Sequence, residues 1–407
     1  MVPVSRQIIL YGDLNWHGFQ RAQRLLHARF ETQGFADIEL RLDVGNAYPN
    51  GVIPLVLLLE SYRQQGREIE VVLPEEERLV RLFASNDWIR HLDPRLAGTS
   101  DVRLASALHS FGSDEELNEL INREIDAVLG RVTFAEGVAQ AFEWTLNEIA
   151  GNVLVHSGVG GGLMQVVAMP QTHHLAIVVA DRGTGIPETI RRAYPDYPTD
   201  EAAIEHALQK GVTSRPDFGQ GKGLTGALEI VKENSRGRFE IHSGKGYVGW
   251  VDGRFAIKGD FPPFPGTVVD IQLDTAHAID VSRALWGHQP VSFTETLYGA
   301  GMPEGVMRLC LRQEAASFGN RITAARIRTK IENLLSSEPG SVLEIDFSGV
   351  DLIASSFADE IFGKLAIKMG VISFSRRLRF LNLNNFCHSV TDDVVQARMA
   401  QHVGKTA

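Results

Sequence analysis

Three short segments bearing glycines and carboxylates, in fixed order between residues 148 and 224, constrain this chain more than any other feature. The first is Glu148-Ile-Ala-Gly-Asn152-Val-Leu-Val-His156, inside a run of helical periodicity over 134–156. Four-residue spacing sets Glu148, Asn152 and His156 on one helix face. The second, Asp181-Arg-Gly183-Thr-Gly185-Ile186-Pro187, follows directly on an apolar run, 175–180, that reads as a strand. The third, Gly219-Gln-Gly221-Lys222-Gly223-Leu224, opens a helical pattern over 224–233. About 30 residues separate one segment from the next.

Each segment alone has two readings. A carboxylate and an amide one turn apart can activate a water or hydroxyl and ligate Mg²⁺, and they equally fit an exposed polar stripe. An ionised Asp181 is acceptor-only and can receive the exocyclic amino hydrogen of adenine, with glycines admitting the base closely. The same residues fit a plain strand-exit turn. Glycine N–H groups at a helix N-terminus make an anion site, or a flexible hinge. The third segment is not a Walker loop, because Gly rather than Ser or Thr follows Lys222-Gly223.

A length of 407 residues predicts two or three domains, and 44% hydrophobic with 22% charged residues is an ordinary globular balance. The net charge of -10 argues against a nucleic-acid or anionic-membrane partner. Two cysteines, Cys310 and Cys387, without metal-ligand spacing predict idle thiols in a reducing compartment. The first residues lack a signal-peptide core, and the longest strongly apolar run, 52–59, is too short to span a bilayer. A cytoplasmic location is expected.

The pattern predicts a multidomain α+β and α/β protein. Residues 1–95 alternate strand and helix signals, with helices at 16–32, 53–65 and 75–83 and strands at 8–11, 38–44 and 69–73; 93–113 reads as a linker. Residues 112–274 read as two helices, a hairpin, a polar Pro-rich stretch and further strands, which makes a two-layer α+β sandwich with a mostly antiparallel sheet. A linker or irregular insertion follows over 274–305, and 305–402 return to α/β alternation. Leu40-Arg-Leu-Asp43 and Leu343-Glu-Ile-Asp346 both end a strand on Asp before a loop and a helix, so the two flanks read as units of similar plan.

In order and spacing, the three central segments resemble the GHKL family, the histidine kinase-like ATP-binding (Bergerat) fold, over about 130 residues, 143–273. The stretch Gly211-Val-Thr-Ser-Arg215 looks like that family's lid, and Pro265-Gly-Thr267 like its last motif. The resemblance implies Glu148 as base, Asn152 as Mg²⁺ ligand and Asp181 as adenine contact. It also implies Gly183 and Gly185 beside the base, Thr267 near adenine, and Gly219, Gly221, Gly223 and Leu224 at the phosphates, with Lys222 adding charge. Residues 342–360 look like a STAS-like domain, the fold of anti-sigma-factor antagonists, in which a GHKL kinase phosphorylates a serine at a helix start. Ser355 and Ser356 hold that place as possible phosphoacceptors, or merely cap the helix; Ala354 departs from the Asp usual before the serine pair. The N-terminal unit resembles a second STAS-like domain, but its stretch 49–54 has no hydroxyl and would serve as a binding or dimerisation surface.

His109 reads as linker rather than phosphoacceptor, and no transducer domain follows. What these resemblances imply is an ATP-binding regulatory switch, with ATP and Mg²⁺ as cofactors and a second copy or a protein partner engaged through the STAS-like domains. The alternatives are a protein-serine kinase acting on a STAS-like domain in cis or trans, or a nucleotide sensor without turnover.

Overall fold

The computed structural model describes residues 6–96, 106–213, 222–287 and 294–406. Among the described residues the chain is a mixed α/β protein with three sheets. It divides into two compact units. The first is Met1–Glu124, Trp144–Ala168 and His174–Asp274, and the second is Ile125–Glu143, Met169–His173 and Thr275–Ala407.

The first unit contains two sheets. Strands β1 (Gln7–Leu14), β2 (Asp37–Ala47) and β3 (Glu68–Val72) pair in parallel in that order. Helix Trp16–His27 crosses from β1 to β2, and its N-cap residue Asn15 accepts from the Gly18 N–H at 3.1 Å. Helix Pro49–Gln64 crosses from β2 to β3. Its residues Val52, Ile53, Leu55, Val56, Leu57, Leu58 and Leu59 are all buried. A helix that is apolar on every side must be covered on every side, and this one lies against both β3 and two strands of the larger sheet.

That helix begins at Pro49, four residues before the periodicity suggests. Pro49 sits in the first turn, where its missing N–H is not needed. Gly51 passes so close to β1 that a Cβ there would lie 2.2 Å from the Leu14 carbonyl oxygen. Asn50 is buried and donates to Asp270 Oδ2 at 2.8 Å. The turn-like residues of this stretch are signs of close packing, and they face the chain's own sheet.

The larger sheet adds β4 (His109–Phe111), β5 (Gly162–Met169), β6 (His174–Asp181), β7 (Arg238–Gly244), β8 (Gly246–Val251), β9 (Arg254–Lys258) and β10 (Phe264–Asp274). Its order is β4-β5-β6-β10-β7-β8-β9, and the β6–β10, β10–β7, β7–β8 and β8–β9 pairs are antiparallel. β4 falls inside the stretch expected as a linker. His109 is a buried strand residue opposite Met164, and three residues before a glycine are too few to show a period. Helix Gly223–Glu233 packs on β7 and β10.

The opposite face of this sheet closes on the N-terminal unit. Val178, Ala180 and Val268 join one apolar cluster with Leu40, Ile53 and Leu57. His242 is enclosed by Trp16, Phe19, Phe261 and Phe264, and burial pulls its imidazole down to about 3. On the same face Asp270 and Glu240 stand directly opposite one another, both buried. Tyr247 donates to Glu240 at 2.6 Å, while Asn50 and Gln272 donate to Asp270. Burial, then the neighbouring Glu240, pushes the Asp270 carboxyl up to about 7.

In the second unit, β11 (Val306–Cys310), β12 (Val342–Asp346) and β13 (Leu378–Leu381) again pair in parallel in chain order. This is the plan of β1–β3, but the two aspartates differ in place: Asp346 ends β12, opposite Cys310, whereas Asp43, opposite Tyr11, lies inside β2, which pairs on with β1 to Ala47 and so corrects the expectation that both end a strand. Asp346 Oδ1 accepts from the Ser348 N–H and hydroxyl and from Asn382. Buried Asn333 holds the turn before helix Val138–His156, accepting from Phe134 N–H and donating to Leu129 and Val132. A closing helix, Asn385–Thr406, has no counterpart in the sequence reading. Cys310 and Cys387 are free. Among the described residues, no helix is long and apolar enough to cross a membrane.

The Asp270 carboxyl has a pH signature. Its proton affinity is raised on folding, so the stability it confers is present below the unfolded value and is lost as pH rises through about 7. Between pH 5 and 8 the wild type should lose more stability than Asp270→Asn. Denaturant titrations of both proteins at several pH values check this, and parallel curves would refute it.

Candidate functional site

The site grows from strand register. Asp181 on β6, Thr267 on β10 and Ser243 on β7 are directly opposite neighbours and form one row across three strands. The adjacent row, Ala180, Val268 and His242, points into the N-terminal core. Side chains alternate along a strand, so the Asp181 row points to the other face.

Asp181 is 7% exposed, and burial pushes its carboxyl up to about 6, against the lowering effect of the Gly183 N–H. That N–H donates to Oδ1 at 2.6 Å, which leaves Oδ2 for another donor. Thr267, 8% exposed, lies 2.9 Å from the Ser243 hydroxyl. Ser243 is fully buried, donates to the Gly266 carbonyl at 2.8 Å and accepts from the Ile186 N–H at 2.9 Å.

Glycines set how tightly these segments meet. A Cβ on Gly183 would stand 2.1 Å from the Ser157 carbonyl oxygen, which also accepts from the Thr184 N–H at 2.8 Å. The strand-exit loop is therefore docked on the end of helix Val138–His156. Gly266, at φ +86°, passes within 2.0 Å of the Asp181 carbonyl oxygen, measured from an added Cβ. Only glycine fits there. Gly185, at φ +78°, turns the chain into helix Ile186–Ala193.

The first and third segments also meet. A Cβ on Gly223 would lie 2.6 Å from Glu148 Oε2 and 3.4 Å from Asn152 Nδ2, so the N-terminus of helix Gly223–Glu233 faces that pair. Glu148, Asn152 and His156 are each half-buried on the one helix. Lys222 is exposed at the N-cap. Leu224 packs with Ile190, Ala203 and Ala207. Gly219 and Gly221, with Ser214 and Arg215, lie outside the described residues.

The polar, Pro-rich stretch after the second segment, for which no element was expected, holds helices Ile186–Ala193 and Asp200–Ala207. Pro187 sits in the first turn of one, and the Thr199 hydroxyl caps the other by accepting from Ala202 N–H. Asp200 accepts from Arg191 and from the Lys245 N–H. Sequence reasoning missed Ser243, whose signal is a lone hydroxyl among the alternating residues of β7. It also passed over Ser157 and did not single out Gly266.

In the second unit, Ser355 is exposed and Ser356 half-buried at the start of helix Ser355–Ala358. The N-cap is Ala354, and no side chain makes a cap hydrogen bond. The reading in which the serines merely cap this helix is corrected: Ser355 is the first helical residue.

Two glycines of the site should differ in what a methyl group costs. Gly266→Ala meets backbone at a left-handed φ, whereas the methyl of Gly223→Ala meets the far end of the flexible Glu148 side chain. Gly266→Ala should cost on the order of 2 kcal/mol more in unfolding free energy. Equal costs in denaturant titrations would contradict the packing described.

Residues 323–385 match the family model described as a STAS-like domain of unknown function (DUF4325). No curated protein matches the chain. The match covers helix Arg321–Ser337 from its first turn, β12, the Ser355–Met369 helical stretch and β13. The C-terminal part of this chain carries a STAS-like domain.

Proposed function

We propose that this chain is an ATP-binding regulatory switch, in which residues 112–274 act as a GHKL module that binds and hydrolyses Mg-ATP to control flanking STAS-like domains. One juxtaposition carries the reading: acceptor groups of Asp181 and Thr267 on one side, and on the other a helix N-terminus facing Glu148 and Asn152. Asp181 Oδ2 would take the adenine amino group. The free N–H groups and dipole at Gly223 would take the phosphates. Glu148 would draw a proton from the attacking water.

Mg²⁺ fits the residues present. It takes six oxygens in octahedral geometry, several of them water, and relies on substrate phosphates with one or two protein ligands rather than on a protein cage. Among the described residues no group of three or more His, Cys, Asp or Glu could hold a metal. The Asn152 amide oxygen beside nucleotide phosphates would suffice.

Two contacts support coupling to the N-terminal unit. Arg182, next to Asp181, pairs with Glu60 of helix Pro49–Gln64 at 3.2 Å, and Asn50 of that helix bonds Asp270 on the strand that carries Thr267. We read the N-terminal unit as a second STAS-like domain because its strand order and direction are those of β11–β13. The C-terminal domain would engage a second copy or a protein partner.

The kinase reading draws on a separate observation, the exposed and uncapping Ser355 within a STAS-like domain. Incubation with γ-labelled ATP separates the two. Release of free phosphate without protein label supports the ATPase. Label lost in Ser355→Ala/Ser356→Ala supports the kinase. In either case Glu148→Ala should lower turnover by roughly 10²–10⁴-fold while nucleotide still binds; unchanged behaviour would favour a sensor without turnover.

Asp181 gives the binding test. In Asp181→Asn the amide oxygen accepts from Gly183 N–H, so the NH₂ faces the adenine amino group, donor against donor. Affinity for ADP should fall roughly 100-fold. Wild-type affinity should also weaken as pH falls through about 6, where Asp181 takes up its proton. Calorimetric titration with ADP across pH 5–8 checks both, and the pH effect should vanish in the variant.

A further inference from the structure

Ser243 belongs to none of the three segments, yet its hydroxyl is the hub of the row. It lies within hydrogen-bond distance of Gly266 O, Thr267 Oγ1 and Ile186 N. A serine hydroxyl has one proton and two acceptor lone pairs. The Ile186 N–H can only donate and the Gly266 carbonyl can only accept. Saturating all three contacts therefore sends the Ser243 proton to Gly266, and the second Ser243 lone pair receives the Thr267 proton. No other hydrogen bond of Thr267 is found among the described residues beyond its strand pairing.

We propose that Ser243 is a positioning residue that sets base specificity by fixing the direction of the Thr267 hydroxyl. With its proton turned toward Ser243, Thr267 offers only lone pairs to a ligand. Its directly opposite neighbour Asp181 also offers only an acceptor, since Oδ1 is held by Gly183. The pair thus presents an acceptor-only edge. Such an edge takes a purine 6-amino group, a double donor, and rejects a 6-oxo group, a pure acceptor. A freely turning Thr267 hydroxyl could donate to a 6-oxo oxygen and would relax the choice. This inference rests on the nucleotide-binding reading of the site and adds how that site chooses its base.

The test compares ADP with inosine 5′-diphosphate, which differs at the 6-position and at the N1 proton, by calorimetric titration on the full chain. The wild type should prefer ADP at least tenfold. Ser243→Ala should reduce the ADP-to-inosine-diphosphate preference about tenfold, mainly by improving the weaker ligand. Thr267→Val, similar in shape and without a hydroxyl, should also reduce it. The double variant should match Thr267→Val alone, because a residue acting through another gives non-additive effects. An unchanged preference in Ser243→Ala, or additive losses in the double variant, overturns the proposal. Should Ser243→Ala not fold, an unchanged preference in Thr267→Val overturns it equally. Failure of the wild type to bind either nucleotide overturns the underlying reading instead, and is seen before any variant is compared.

Discussion

Helix Pro49–Gln64 is the constraint on which the first unit depends. Seven consecutive or nearly consecutive aliphatic side chains, from Val52 to Leu59, are buried on all sides of it. Each contributes about 1.5–3 kcal/mol when withdrawn from water, so the seven together give about 10–20 kcal/mol against a fully extended chain and on the order of 10 kcal/mol against a compact unfolded one. Neither the three-stranded sheet nor the seven-stranded sheet can cover it alone. The two must close on it together, and they share one apolar cluster. The gain exceeds the few kcal/mol that a buried, partly protonated Asp270 and a buried neutral His242 cost. Polar groups persist in this interface because the aliphatic helix can carry them.

That interface also orients the site on the far side of the sheet. A slip of one residue in β6, β7 and β10 together would exchange the Ala180, Val268 and His242 row for the Asp181, Thr267 and Ser243 row. It would press a carboxylate and two hydroxyls into Trp16 and Phe19, and expose the apolar row. The N-terminal core therefore fixes register, and register fixes which way Asp181 points. The bulge between Phe264 and Thr267 completes this, bringing Gly266 over the Asp181 backbone. Stability on one face and chemistry on the other are set by a single alternation.

This division explains what was legible from sequence. Periodic elements were: the strand expected at 175–180 lies within one residue of β6 at each end, and the helical pattern at 224–233 within one residue of helix Gly223–Glu233. The segments that carry Glu148, Asn152, Asp181, Gly183 and Gly223 came together because each sits at the end or on one face of such an element. Illegible were features whose meaning is tertiary. Pro49, Asn50 and Gly51 carry turn signals, yet they begin a helix: Pro49 suits its first turn, Asn50 reaches Asp270, and Leu14 leaves room for no side chain at Gly51. β4 is three residues long and exists only by pairing with β5. Helices Ile186–Ala193 and Asp200–Ala207 sit among prolines and depend on Asp200 reaching the Lys245 backbone. Ser243 is a single serine in a strand, and only register shows that it stands beside Thr267.

The two parallel three-stranded units show how one plan can serve two ends. Both follow the middle strand with a helix that crosses to the third, though Asp346 ends its strand and Asp43 does not. In the N-terminal unit the helix start is Pro-Asn-Gly, small or rigid and without a hydroxyl, and it is buried against β1 and the larger sheet. In the C-terminal unit the corresponding start carries Ser355 in the open, with Leu352 and Phe386 also exposed at 64% and 50%. An exposed hydroxyl at the first residue of a helix is reachable by an enzyme and favourable for a phosphate, because the helix dipole and free N–H groups there attract negative charge. A buried Gly51 is neither. The same architecture has thus been turned inward as a structural wedge at one end of the chain and left accessible at the other. In the proposed switch, that assigns the nucleotide's mechanical contact to helix Pro49–Gln64 and the variable, partner-facing role to the domain that carries Ser355.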